Sequence, residues 1–383
     1  TVLGARGVKE NVLAALATNG PAAQRLNVVF FSEGYTNGVL GQFLADATNA
    51  LAALLAKEPY SEYRSYLNGF AIAVASAQSG SDHPKSGVLN DTYFNSTYDV
   101  GDLVITIPEN ANGVGKVNAL LQQFIPEFQT NRDLTVLLVN DPILGGSGGP
   151  RIITSKGDMW EEVLVHESGH TLGRLGDEYG YEVPGFEPPN LQFPNVTTNT
   201  ESQKTSTNTQ NLIPWYAWIG TNTPVPTPWW NVDYWDLVGL FEGANYSSTG
   251  WYRPKYDCLM RTTFSLSFFC EVCQEALVLA IYDRVRPGEN FLPAVTNLTL
   301  TPTQSLAFSA TLLQPEARTV RVQWSTNGTP VPGATNAGFV LTGSALGNGT
   351  HTVQVHIRDH SAKVRSDPDG RSSQIRTWQV QRI

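Results

Sequence analysis

The chain has 383 residues, of which 41% are apolar and 15% charged, and 34 acidic against 25 basic residues leave a formal charge of −9. That apolar content excludes a disordered chain, and the acidic balance supplies no basic stripe for nucleic acid. The length is too great for one small core and points to two domains, with three as the alternative.

The longest apolar runs, such as Phe70 to Ala77, are too short to span a bilayer. The charged fraction lies well below the roughly 25% of an average globular protein, with Asn, Thr, Ser and Gly in its place. The expectation is a soluble, secreted bacterial protein, extracellular or at the cell surface. The 3 cysteines, Cys258, Cys270 and Cys273, fall close together. In an oxidising compartment that reads as one disulfide and one free thiol. A cysteine-only zinc site would need a fourth ligand, and none stands nearby in sequence.

In chain order, residues 26–32 read as a buried strand, 38–57 as an amphipathic helix, and 69–76 as a second strand. Val114 to Phe128 reads as a helix and 134–139 as a third strand. A mixed α/β sheet follows from that alternation. The glycine-rich stretch 145–149 lacks the Lys-Ser/Thr of a phosphate loop and reads as a flexible connection into a short strand, Arg151 to Thr154. Asp158 and Glu161 have capping-box spacing, so a helix is expected from Asp158 to Gly173. Six of the 9 Trp lie between Trp215 and Trp251, where aromatic core is the favoured reading and a substrate pocket the alternative. A helix follows Cys273 and ends at Pro287-Gly288. From about residue 292, short alternating runs separated by turn residues indicate a β-sandwich.

The chemistry concentrates in His166-Glu167-Ser168-Gly169-His170. Two His at i and i+4 share one helix face and can bind one metal ion. Glu167 adjoins the first ligand, where it can act as general base on a metal-activated water. Gly173 follows His170 by three residues and can adopt the left-handed conformation that turns the chain. A metzincin third ligand would stand three residues further on, at a position occupied here by Gly176. The neighbouring carboxylates replace it: Asp177 as first choice, Glu178 as the alternative. Met260, downstream of the zinc motif and next to Cys258-Leu259, fits a Met-turn. Candidate oxyanion donors are Tyr252 and Tyr256, with Tyr179 also near.

This motif, followed by Asp177-Glu178-Tyr179, resembles the bacterial IgA-peptidase family of metzincin-like zinc metalloendopeptidases. Ser32-Glu33-Gly34-Tyr35-Thr36, Ser79-Gly80-Ser81-Asp82, Gly250 to Pro254 and Phe269 to Cys273 are similar to that group as well. The resemblance spans about residues 26 to 285 and implies Zn2+, an extended peptide substrate and an exported enzyme. The expected fold class is α+β, with a metzincin-like metallopeptidase domain over 1–290 and an immunoglobulin-like sandwich over 291–383. The expected function is hydrolysis of extracellular protein or glycoprotein substrates by a monomer. A glycan or cell-wall binding protein with a vestigial zinc site is the alternative from another class, and a zinc amidase acting on cell-wall peptides a third.

Overall fold

The computed structural model describes residues 11–99, 101–182, 188, 191–200, 212–262 and 268–383. The first ten residues of the expected peptidase domain therefore lie outside the described residues. In chain order the first part contains β1 (Val12–Ala17), β2 (Leu26–Glu33), α1 (Leu40–Leu55), β3 (Leu67–Ala73), β4 (Thr97–Tyr98), β5 (Ile105–Thr106) and α2 (Val114–Phe124). It continues with β6 (Leu134–Val139), β7 (Gly146–Ser147), β8 (Ile152–Ser155), α3 (Trp160–Gly173), β9 (Phe241–Ala244), β10 (Ser247–Arg253) and α4 (Glu271–Arg284).

The main sheet runs β1-β3-β2-β6-β8-β7. Its four central strands are parallel, and both edge strands, β1 and β7, are antiparallel to their neighbours. Every residue of β2 is buried, as a central parallel strand covered on both faces requires. Alternate residues divide between two cores. Val28 and Phe30 face a cluster with Leu51 of α1, Val165 of α3 and Leu277 of α4; Val29 and Phe31 face Val117, Leu120 and Leu121 of α2. Three helices thus cover one face and one covers the other.

The stretch Asn37–Leu55 is long and apolar enough, by length and composition, to cross a membrane. Here Phe43, Ala47, Ala50, Leu51 and Leu54 form a buried stripe on the sheet, the pattern of a core helix.

Three local expectations change. The stretch 145–149 is not a loose connection: Gly146 and Ser147 form β7, paired with Thr154 and Ile153. The strand expected at Arg151 to Thr154 is therefore flanked on both sides. The capping box does not form. The chain enters α3 through Met159 in the left-handed region (φ 62°), which leaves Asp158 one position too early to cap. At the other end the left-handed residue is Arg174 (φ 52°), not Gly173. Gly173 is needed for packing instead, since a Cβ there would meet Leu277 at 3.0 Å.

The second part comprises β11 (Gly288–Leu292), β12 (Asn297–Leu300), β13 (Ser305–Leu312), β14 (Val320–Thr326), β15 (Thr329–Pro330), β16 (Gly338–Thr342), β17 (Gly349–Asp359) and β18 (Ser373–Arg382). These form a three-stranded sheet, β11-β13-β16, and a five-stranded sheet, β12-β18-β17-β14-β15. Both contribute to one core, in which Phe308 packs edge-on to Trp378 and Trp378 stacks on Trp324. The boundary expected after residue 290 falls inside β11.

Polar contacts join the two parts. The buried Asp359 carboxylate accepts hydrogen bonds from Tyr63 (2.6 Å), Tyr282 (2.8 Å) and Thr319 (2.5 Å). Arg25 pairs with Glu289, and Glu275 accepts the Arg365 and Ser366 amides.

Candidate metal centre

α3 carries the motif on the face turned away from Val165 and Leu164, which anchor it in the core. Ser168, on the buried side, accepts a hydrogen bond from Tyr60 at 2.9 Å. His166 Nδ1 lies 2.9 Å from the Leu259 carbonyl, and His170 Nδ1 lies 2.7 Å from the Leu175 carbonyl. A carbonyl can only accept, so each Nδ1 carries a proton, and each ring that gives up its Nε2 proton presents that lone pair to a metal. The two Nε2 atoms are 3.1 Å apart. Asp177 Oδ1 stands 3.2 Å from the first and 3.3 Å from the second. Buried, it receives no well-directed hydrogen bond.

Nitrogen and oxygen ligands at about 2.0–2.1 Å from a shared tetrahedral ion stand roughly 3.3 Å apart. The three separations match that figure, and the donor set of two imidazoles and a carboxylate is one that zinc takes. The residues therefore fit a divalent metal. Tyr246 donates to the other carboxylate oxygen of Asp177 at 2.7 Å, and Tyr179 donates to Tyr246 at 2.8 Å. Such outer partners fix a ligand's orientation.

Burial alone would lower the two imidazoles and raise the carboxylate. Their mutual contact outweighs it: the Asp177 carboxylate pushes His170 up to about 9 and raises His166. The paired imidazoles hold the Asp177 carboxyl well below the usual carboxylate range. Glu167 behaves oppositely. Burial raises its carboxyl, and the His166 and His170 charges reverse only part of that.

The glycines in and just after β7 shape this side of the site. A Cβ at Gly148 would stand 2.6 Å from Glu167 Oε2 and 2.8 Å from His170 Cβ. Only glycine lets this backbone lie against both side chains. On another side of α3, a Cβ at Gly169 would stand 2.6 Å from Met260 Sδ, so Met260 packs directly against the helix at the residue before His170. The Met260 carbonyl accepts the Glu178 amide at 2.8 Å.

Glu178 does not join the histidines. Its carboxylate turns the other way, towards Asn195 and Cys273. Tyr252 pairs through its backbone with Thr197, and Tyr256 stacks on Trp235 at 4.0 Å. Among the described residues Tyr246 donates to Asp177, with the candidate Tyr179 behind it; sequence reasoning missed Tyr246 because it lies 69 residues from Asp177. The expected disulfide is absent: Cys258, Cys270 and Cys273 are free and buried, with their sulfurs held apart. The Trp-rich segment is divided. Trp215 and Trp218 are core, whereas Trp229 and Trp230 are 55% and 72% exposed.

The other fragments brace loops. Gly34 (φ 69°) lies so close to Gly80 that a Cβ would meet its carbonyl. Glu33 accepts from Thr92 Oγ1 and from the Phe94 and Ser96 amides. Arg253 donates to the Glu242, Gly243 and Tyr256 carbonyls and so holds the chain leading to Met260.

A mixed α/β scaffold with two imidazoles, a carboxylate and an adjacent glutamate at one point has the organisation of a metal-dependent hydrolase. The family model for IgA Peptidase M64 matches residues 14–237 and 231–281, and the chain belongs to that family. It is thus a peptidase of a metal-dependent group. None of the curated proteins matches the chain. Among solved structures, a quinonprotein alcohol dehydrogenase-like protein from Bacteroides thetaiotaomicron is 14% identical over 25% of this chain and 20% of its own, with a TM-score of 0.19. Fibronectin(III)-like modules of Clostridium thermocellum CbhA are 13% identical over 24% of this chain and 92% of theirs, with a TM-score of 0.17. The endo-beta-1,4-mannanase from Thermotoga petrophila is 14% identical over 38% of this chain and 30% of its own, with a TM-score of 0.20. At these scores the structural likenesses define neither fold nor function.

Proposed function

We propose that this protein is an exported zinc metalloendopeptidase. The observation that carries the reading is the convergence of His166 Nε2, His170 Nε2 and Asp177 Oδ1 at mutual distances of 3.1 to 3.3 Å, with both Nδ1 atoms tied to carbonyls. Zinc bound there would polarise the scissile carbonyl and bring the acidity of water into the neutral range. Glu167 accepts the proton that water gives up as its oxygen attacks the carbonyl carbon. It then delivers that proton to the amide nitrogen as the C–N bond breaks, leaving a carboxylic acid and an amine. A carboxyl raised by burial is suited to carrying that proton between the two events. Met260 and Tyr246 position the ligands. In this reading residues 1–290 form a metzincin-like peptidase domain, and residues 291–383 an immunoglobulin-like sandwich. The substrate is an extended stretch of an extracellular protein or glycoprotein.

The test is Glu167→Ala, which should keep stoichiometric zinc and lose cleavage of an unfolded protein such as casein. Undiminished cleavage would reject the assignment. A glycan-binding reading draws on one observation, the exposure of Trp229 and Trp230. Full zinc content with no cleavage of protein, together with retention on immobilised glycan, would favour it.

A further inference from the structure

We propose that Cys258, Cys270, Cys273 and Glu178 hold a second, structural metal ion of the zinc type, separate from the histidine centre. One ligand atom from each of the four residues lies within 4.8 Å of every other, and all four residues are buried. Cys258 Sγ is 3.7 Å from Cys273 Sγ, Cys270 Sγ is 3.6 Å from Cys273 Sγ, and Cys273 Sγ is 3.2 Å from Glu178 Oε1. Thiolates bound at about 2.3 Å to one tetrahedral ion stand roughly 3.8 Å apart, and a thiolate and a carboxylate oxygen roughly 3.5 Å. Directly bonded sulfurs would be about 2.05 Å apart. These three separations match ligands around one point, and the remaining ones stay within 4.8 Å.

The surroundings point the same way. Glu178 Oε2 is buried without a hydrogen-bond partner, a costly state for a carboxylate that no cation neutralises. Among the described residues, no lysine or arginine nitrogen forms an ion pair with it. Arg253 directs its guanidinium to the carbonyls of Glu242, Gly243 and Tyr256. The Cys270 amide donates to Cys258 Sγ at 3.2 Å, the contact expected of a thiolate acceptor. Cys270 stands at the N-cap position of α4 and Cys273 lies in its first turn, where the helix dipole favours negative sulfur. Three thiolates and a carboxylate select zinc over the hard cations.

Such an ion would clamp three chain segments: the stretch after α3 through Glu178, the Met-turn through Cys258, and α4 through Cys270 and Cys273. Each also meets the histidine centre or its supports. The clamp holds the metal ligands' backing in place and touches no reacting atom.

The experiment uses the full chain carrying His166→Ala and His170→Ala, which empties the histidine centre. Plasma mass spectrometry should find one zinc per chain in this variant and two in the unsubstituted protein. A thiol-specific mercurial should release the retained ion. Cobalt(II) in its place should give a near-ultraviolet thiolate-to-metal band, lost in Cys270→Ser. Intact mass under denaturing conditions should show three reduced cysteines. A protein lighter by two hydrogens, or a double-histidine variant free of metal, would overturn the proposal. If that variant fails to fold, the unsubstituted chain decides: two zinc ions and three mercurial-reactive thiols support the clamp, and a single zinc with no cobalt–thiolate band refutes it. Loss of the histidine ion alone would leave the cobalt–thiolate band intact, so failure of the peptidase reading and failure of this one are distinguishable.

Discussion

Asp177 and Glu178 are neighbours in the chain and face opposite ways. Asp177 Oδ1 closes on the two imidazoles at 3.2 and 3.3 Å, while Glu178 Oε1 accepts from Asn195 at 2.9 Å and meets Cys273 Sγ at 3.2 Å. The Glu178 amide, bound to the Met260 carbonyl, fixes the point at which the chain passes from one cluster to the other.

Tyr246→Phe removes the hydroxyl that donates to Asp177 at 2.7 Å. Outer partners of this kind are worth about 10–100-fold in metal affinity. Zinc titration against a competing chelator should show a loss of that size, with KM for a peptide little changed. An unaltered zinc Kd would mean that Asp177 is held without it.

Gly148→Ala places a methyl group against Glu167 Oε2 and His170 Cβ. The carboxylate must move, and a displacement near 1 Å can cost about 10²-fold in rate. We expect kcat to fall by that order at full zinc content, with a stability loss of about 1–3 kcal/mol from overpacking. Wild-type kcat in this variant would place Glu167 outside the chemistry.

Acidity should affect the metal-free protein in a defined direction. His170 is raised from its ordinary 6.5 to about 9 by Asp177, so the pair stabilises the fold fully below pH 6.5 and is lost as pH rises through about 9. The Tm of chelator-treated protein should decline across that interval. Zinc replaces the proton, so the zinc-loaded protein should lack this decline, and apparent zinc affinity should increase with pH over the same range. Parallel melting curves for the two forms would contradict the assignment.

Asp359→Ala strips the acceptor shared by Tyr63, Tyr282 and Thr319. Three hydroxyls then lose a charged partner, two of them on fully buried tyrosines, and about 3 kcal/mol or more of stability should go with them. Calorimetry should show one cooperative transition in the parent protein and a lower or split one in the variant. A Tm within a degree of the parent would show that the junction contributes little.

How much of this was legible in the sequence depends on distance along the chain. His166, Glu167 and His170 lie within one helical turn, so their spacing alone announces the chemistry. The strand 134–139 was readable residue for residue, because a central parallel strand is a continuous apolar run. Asp177 could be put ahead of Glu178 only as the nearer carboxylate, since which of the two turns to the histidines depends on how the backbone leaves Arg174. The disulfide expectation failed because it weighed only nearby residues: the fourth group facing the cysteines, Glu178, lies 95 positions before Cys273. Tyr246 was hidden for the same reason. The stretch 145–149 read as slack because glycine signals freedom in isolation, whereas here it serves close approach.

Since two successive side chains serve two separate pockets, the connection from His170 to Glu178 has a locked residue count. Adding or deleting one residue there would rotate one carboxylate out of register whichever the other kept. Sequence drift in this protein should therefore exchange side chains along that connection while leaving its length alone, and insertions should collect elsewhere.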